Sequence, residues 1–86
     1  MMKLFWKKKK NGLDLIVIED QNSIILGGVR TTKRGIEAMA KARGYDPGRS
    51  IKGLTSEEEG RKFVEDFKPW IEFCGEDLEI ESEIQE

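Results

Sequence analysis

The chain has 86 residues, of which 37% are charged and 37% apolar, and a formal net charge of −2. It contains no histidine and one cysteine, Cys74. That excludes an intramolecular disulfide, the usual zinc-site patterns and any nucleophile that depends on a histidine base. A domain this small buries only about 60–65% of its unfolded surface, so its stability must come from helix and sheet packing.

Charge is distributed in blocks. Lys7, Lys8, Lys9 and Lys10 form a basic run beside Phe5 and Trp6, and no basic residue follows Glu76. Opposed blocks on one small domain imply internal pairing or charged partners. Residues 1–11 read as a basic arm ahead of a single domain over 12–86. Lysines follow the first six residues at once, without the apolar core and cleavage site of a signal peptide. No apolar stretch approaches the ~20 residues that span a bilayer. With one free thiol, the expectation is a cytoplasmic protein with no membrane span.

Leu13 to Glu19 is short, apolar and β-branched, as a mostly buried strand requires. Asp20-Gln21-Asn22-Ser23 supplies turn chemistry, and Ser23 to Arg30 resumes the apolar pattern, so the two runs predict an antiparallel hairpin. Gly27-Gly28 marks a bulge or a close backbone approach in the second strand.

Thr31 or Thr32 can cap a helix starting at Lys33, with Ile36, Met39 and Ala40 on one face and Gly44 as its left-handed end. Ala40-Lys41-Ala42-Arg43-Gly44 resembles the corner of a helix-turn-helix, but Asp46-Pro47-Gly48 cannot begin a recognition helix. Tyr45 to Ser50 reads as a loop, and Ser50 to Leu54 as a short extended piece. Thr55-Ser56-Glu57-Glu58 fits a capping box with Thr55 as the cap, ahead of an amphipathic helix through Phe63 and Phe67. Pro69 predicts a kink or break near Lys68, and Gly75 a stop. Trp70 to Cys74 reads as helix, with a strand as the alternative. Leu78 to Ile84 alternates apolar and acidic residues, the pattern of a half-buried strand. The expected architecture is α+β: a small antiparallel sheet in β-β-α-α-β order with two helices packed on one face.

No residue pattern amounts to a catalytic signature, and no enzyme activity, metal or cofactor is expected. Cys74 lies among apolar and acidic neighbours, which suits a buried thiol better than a reactive one. Phe63, Phe67, Trp70 and Ile71 read as core, and if one were exposed it would mark a partner surface. The remaining candidate binding residues are basic or glycine. Gly27, Gly28, Arg30, Thr32, Lys33 and Arg34 would place backbone N–H groups and cations at a helix start, suited to an anion. Trp6 with Lys7 to Lys10 could stack and pair with nucleic acid. The expected function is a small protein-interaction module of adaptor, regulator or inhibitor type, such as mobile elements encode, working through charged surfaces and a sheet edge. Another protein is the expected partner, and a homodimer is compatible with the chain. The alternative is a nucleic-acid binder using the basic arm and the basic first-helix region.

Overall fold

The structure, a computed structural model, describes residues 2–42 and 45–86, without the side chains of 45–47. Five strands run in chain order: β1 (Met2–Lys9), β2 (Gly12–Glu19), β3 (Asn22–Thr32), β4 (Gly35–Ala42) and β5 (Tyr45–Leu54). They form one antiparallel sheet in the spatial order β1-β2-β3-β4-β5. Two helices follow, α1 (Glu57–Phe67) and α2 (Pro69–Cys74). The protein is thus a small α+β domain, but its helices follow all five strands and do not interrupt the sheet.

The β2–β3 hairpin forms as its β-branched runs require, with Asp20 taking a positive φ in the turn. A register shift opposite Leu15 and Ile16 leaves Leu26 as an extra residue, so the expected bulge is present. It turns Leu26 into the core next to Gly27, and a Cβ on Gly27 would lie 2.8 Å from a Val64 methyl.

The helix expected from Lys33 does not form. Lys33 and Arg34 are the turn between β3 and β4, and residues 35–42 are strand. The helix-turn-helix resemblance fails with it; Arg43 and Gly44 lie outside the described residues. Alanine, methionine, lysine and glutamate favour helix, but such propensity is a weak prior that packing overrides. Ile36, Ala38 and Ala40 also repeat every second residue, and the two small alanines lie buried in the core beneath α1. Residues 45–49, expected as a loop, belong to β5.

Residues 2–9, read as an arm before the first strand, are strand β1, paired with β2 along their whole length. The tail also differs from expectation. Leu78, Ile80 and Ile84 do lean on the core, but residues 78–84 form no strand; the tail pairs with β1 through two isolated parallel bridges, Leu4 with Ile80 and Lys7 with Gln85.

α1 begins one residue later than the predicted cap. Ser56 is the N-cap and accepts from Glu59 N at 3.2 Å, while the Glu59 carboxylate accepts from the backbone and hydroxyl of Thr55. Glu57, Glu58 and Glu59 lie where the helix dipole favours negative charge. Pro69 breaks the helix as predicted: Lys68 adopts φ 49°, and Pro69 becomes the first residue of α2. Gly75, at φ 78°, ends α2.

Both helices cover one face of the sheet. Gly60 allows α1 to lie close on β3, since a Cβ there would meet Val29 at 2.8 Å. The core is Leu4, Trp6, Leu13, Leu15, Val17, Leu26, Val29, Ala38, Ala40, Val64 and Trp70. Of the predicted aromatic stripe, only Trp70 is fully buried. Phe63 is half-buried, and Phe67 and Ile71 are 44% and 42% exposed. Among the described residues no helix is long and apolar enough to cross a membrane.

Candidate functional site: an open sheet face and an open edge

Strand alternation turns every second side chain away from the helices. On β1 these are Phe5, Lys7 and Lys9; on β2, Asp14 and Ile16. On β3 they include Ile25, Gly28 and Arg30, opposite Met39 and Glu37 of β4. No described helix lies over this face. At its centre is a shallow groove of about 340 Å³, lined by Asp14, Ile25, Gly28, Arg30, Glu37, Met39, Gly48, Ser50 and Lys52.

A buried ion pair organises the groove. Asp14 is only 3% exposed, the one charged residue so deeply buried among those described. Arg30 Nη2 donates to its carboxylate at 2.5 Å, and Lys9 Nζ lies 4.0 Å from its other oxygen. Arg30 Nη1 also donates to the carbonyls of Leu13 and Val29, at 2.8 and 3.0 Å. Gly28 leaves room for the pair, because a Cβ there would lie 3.1 Å from both Arg30 Nη1 and Asp14 Oδ1. A charge taken out of water requires such pairing, so Asp14 is what holds the guanidinium in place. Sequence reasoning missed Asp14; the signal that could have found it is an aspartate inside an apolar strand, which needs a cation opposite.

The candidate binding residues are therefore redistributed. Lys7, Lys9, Gly28 and Arg30 come together on the open face, joined by Lys52, whose isolated position in the sequence gave no sign of this. Trp6 points the other way. It is 2% exposed and donates Nε1–H to Glu65 at 2.8 Å, so it offers no stacking surface. Lys8 pairs with Glu86 at 3.7 Å, and Lys10 lies exposed in the β1–β2 turn. Gly27 serves helix packing. Thr32 closes the β3–β4 turn, donating to Gly35 O at 2.8 Å and accepting from Arg34 N at 3.2 Å. Lys33 and Arg34 are exposed at that turn and not at a helix start, so no anion cradle forms there.

The sheet has two edges. Along β1 the tail forms backbone bonds from Glu81 N to Leu4 O, Gln85 N to Trp6 O and Lys8 N to Gln85 O, at 2.9, 2.8 and 2.7 Å. Lys3 adds an ion pair to Glu81 at 3.7 Å. Along β5 no described strand or tail pairs with the outer side. Ile51, 37% exposed, sits beside this edge on the helical side. Phe63 and Phe67, with ring centroids 5.0 Å apart, lie on the same flank. Gly60 and Val64 of α1 face the sheet and Glu65 reaches Trp6 on β1, which leaves positions 63 and 67 toward β5.

Charge follows the two layers. Residues 1–56 hold twelve basic and five acidic residues, and residues 57–86 three basic and twelve acidic. The sheet is basic, and the helices and tail are acidic. Cys74 is half-buried, and burial, then Glu19 and Glu76, push its thiol pKa up, away from thiolate chemistry. Asp77 accepts from Trp70 Nε1 at 3.0 Å, and this bond, with Lys68 nearby, holds its carboxyl below the usual range. No protein-family model, curated protein or solved structure matches the chain.

Proposed function

We propose that the protein is a non-enzymatic protein-interaction module that accepts an extended, acidic strand from a partner along β5. The observation that carries this is the contrast between the edges: the chain's own tail occupies β1, and β5 has no described neighbour. An unpaired edge offers a row of backbone donors and acceptors, and strand addition there is a recurring mode of peptide recognition. The exposed Ile51 and Phe67 supply apolar contacts for alternate partner side chains. Lys52 adds positive charge beside the edge. Two copies pairing β5 to β5 would bring their Lys52 charges to one interface, so an acidic strand from another protein fits better than a second copy. The β1 edge supplies an internal precedent, since the segment bonded to it alternates isoleucine with glutamate.

The test is a synthetic peptide with the sequence of residues 78–85, added to the full chain and followed by amide exchange. Saturable binding should slow exchange at β5, and Ile51→Asp should abolish the effect. Unchanged β5 exchange at saturating peptide would overturn the proposal.

A further inference from the structure

We infer that the open face of the sheet is a binding site for single-stranded nucleic acid, separate from the β5 edge and independent of the reading given to that edge. Charge complementarity comes first. Arg30 and Lys52 line the groove, and Lys7 and Lys9 stand on the same sheet face, against Asp14 and Glu37. Asp14 is already satisfied by Arg30 and Lys9, so it withdraws little from an incoming anion. Lys7 and Lys52 make no ion pair among the described residues, and they stand on β1 and β5, the opposite outer strands of the sheet. An anion held between them therefore crosses the strands, which suits a repeating polyanion better than one small ion.

The floor of the groove separates a single strand from a duplex. Ile25 is 54% exposed and Met39 lies beside it. Gly28, Gly48 and Ser50 keep the trough free of bulk. Unpaired bases can lie on that apolar floor while their phosphates reach the lysines. A duplex hides its bases and could use only the rim. Arg30, held by three hydrogen bonds in the unbound protein, presents its half-exposed guanidinium without reordering. Site sizes of about 4–16 nucleotides are usual for sheet-based single-strand binders. The face has no exposed aromatic among the described side chains, so affinity should rest on phosphate contacts and show little sequence preference.

The experiment is fluorescence anisotropy of the full chain with a labelled oligothymidylate of sixteen nucleotides. The expected result is saturable binding at 50 mM salt that weakens roughly 20- to 100-fold by 200 mM, the dependence for three to five phosphate contacts to a single strand. Lys7→Glu with Lys9→Glu should weaken binding by at least tenfold. Lys52→Glu, on the opposite outer strand, should do the same if the first variant is compromised in folding. Lys62→Glu on α1 should change nothing. Ile25→Ser should weaken binding to the oligonucleotide but not to inorganic polyphosphate, which has no bases. No binding at 50 mM salt would overturn the inference, as would folded lysine variants that bind like the parent, or a duplex that binds more tightly than the single strand. A low-salt self-association between the basic face and the acidic helices of another copy, with no oligonucleotide binding, would assign the face to a second copy and overturn it equally.

Discussion

At the β1 edge the chain's own tail is bonded to the strand through three backbone N–H groups, whereas at the β5 edge no described residue pairs with the strand. The side chains differ in the same sense. β1 carries Leu4 and Trp6, both at most 2% exposed, and β5 carries Ile51 at 37%. One edge is therefore part of the core and closed against pairing, and the other is a thin rim available for it. An open edge is a liability that folded proteins usually blunt. A chain that closes one and leaves the other places its partner surface by topology more than by any single residue.

The sharpest way to break this contrast is to compare matched truncations. Trp6→Ala should cost about 3–5 kcal/mol, the range for removing a buried tryptophan, and more if Glu65 is left without its donor. Ile51→Ala should cost less than about 1 kcal/mol, because much of that side chain is already in water. Urea unfolding measures both, and comparable costs would mean that β5 is as much a part of the core as β1.

Truncation after Gly75 comes next. It removes three backbone bonds and the packing of Leu78, Ile80 and Ile84, partly offset by the freedom that the released segment regains. A loss of about 1–3 kcal/mol is expected. The variant would have two open edges and should elute as larger, concentration-dependent species. A truncated chain that stays monomeric would show that edge closure is not what the tail provides.

The parts of this architecture that were readable in the sequence are those with local causes. The β-branched run after Gly12, the Pro69 break and the Gly75 stop each follow from one residue's backbone preference or from a short pattern. β4 was not readable, because Gly-Ile-Glu-Ala-Met-Ala-Lys-Ala satisfies both a helical and a strand period. The choice is made by α1, which begins at Glu57, beyond β5, and needs the small faces of Ala38 and Ala40 beneath it. β1 was hidden for a similar reason: a lysine run reads as solvated, and the burial of Trp6 depends on Glu65, 59 positions away. The basic candidates Lys7, Lys9 and Arg30 were readable as charges. Their convergence was not, since it depends on cross-strand register, and that register also determines which of the neighbouring Trp6 and Lys7 faces the helices.

Acid should sharpen the contrast at the root of the tail. Asp77 joins the tail to α2 by accepting from Trp70, and its pKa is lowered in the folded state. The contribution is therefore fully present above the unfolded carboxylate value and is lost as pH falls through the lower folded value. Glu59 behaves in the same sense through its bonds from Thr55 and Ser56. Trp70 fluorescence should stay constant from neutral pH down to about 4 and change below it. Asp77→Asn should flatten that acid limb, and an unaltered limb in the variant would remove Asp77 as its cause.

The smallest effect expected is that of salt on the closed edge. Lys3–Glu81 and Lys8–Glu86 are 3.7 Å pairs between half- to well-exposed side chains. Pairs of this kind contribute about 0–1 kcal/mol each and are screened by salt. The backbone bonds and the partly buried isoleucines do not depend on ionic strength in that way. Amide exchange at Glu81 and Gln85 should therefore accelerate by no more than several-fold between low and high salt, while oligonucleotide binding on the open face falls far more steeply. Loss of all protection at those two amides in high salt would mean that charge alone holds the tail. The β1 edge would then be one that any sufficiently acidic strand could claim, and the difference between the two edges would reduce to which acidic segment arrives first.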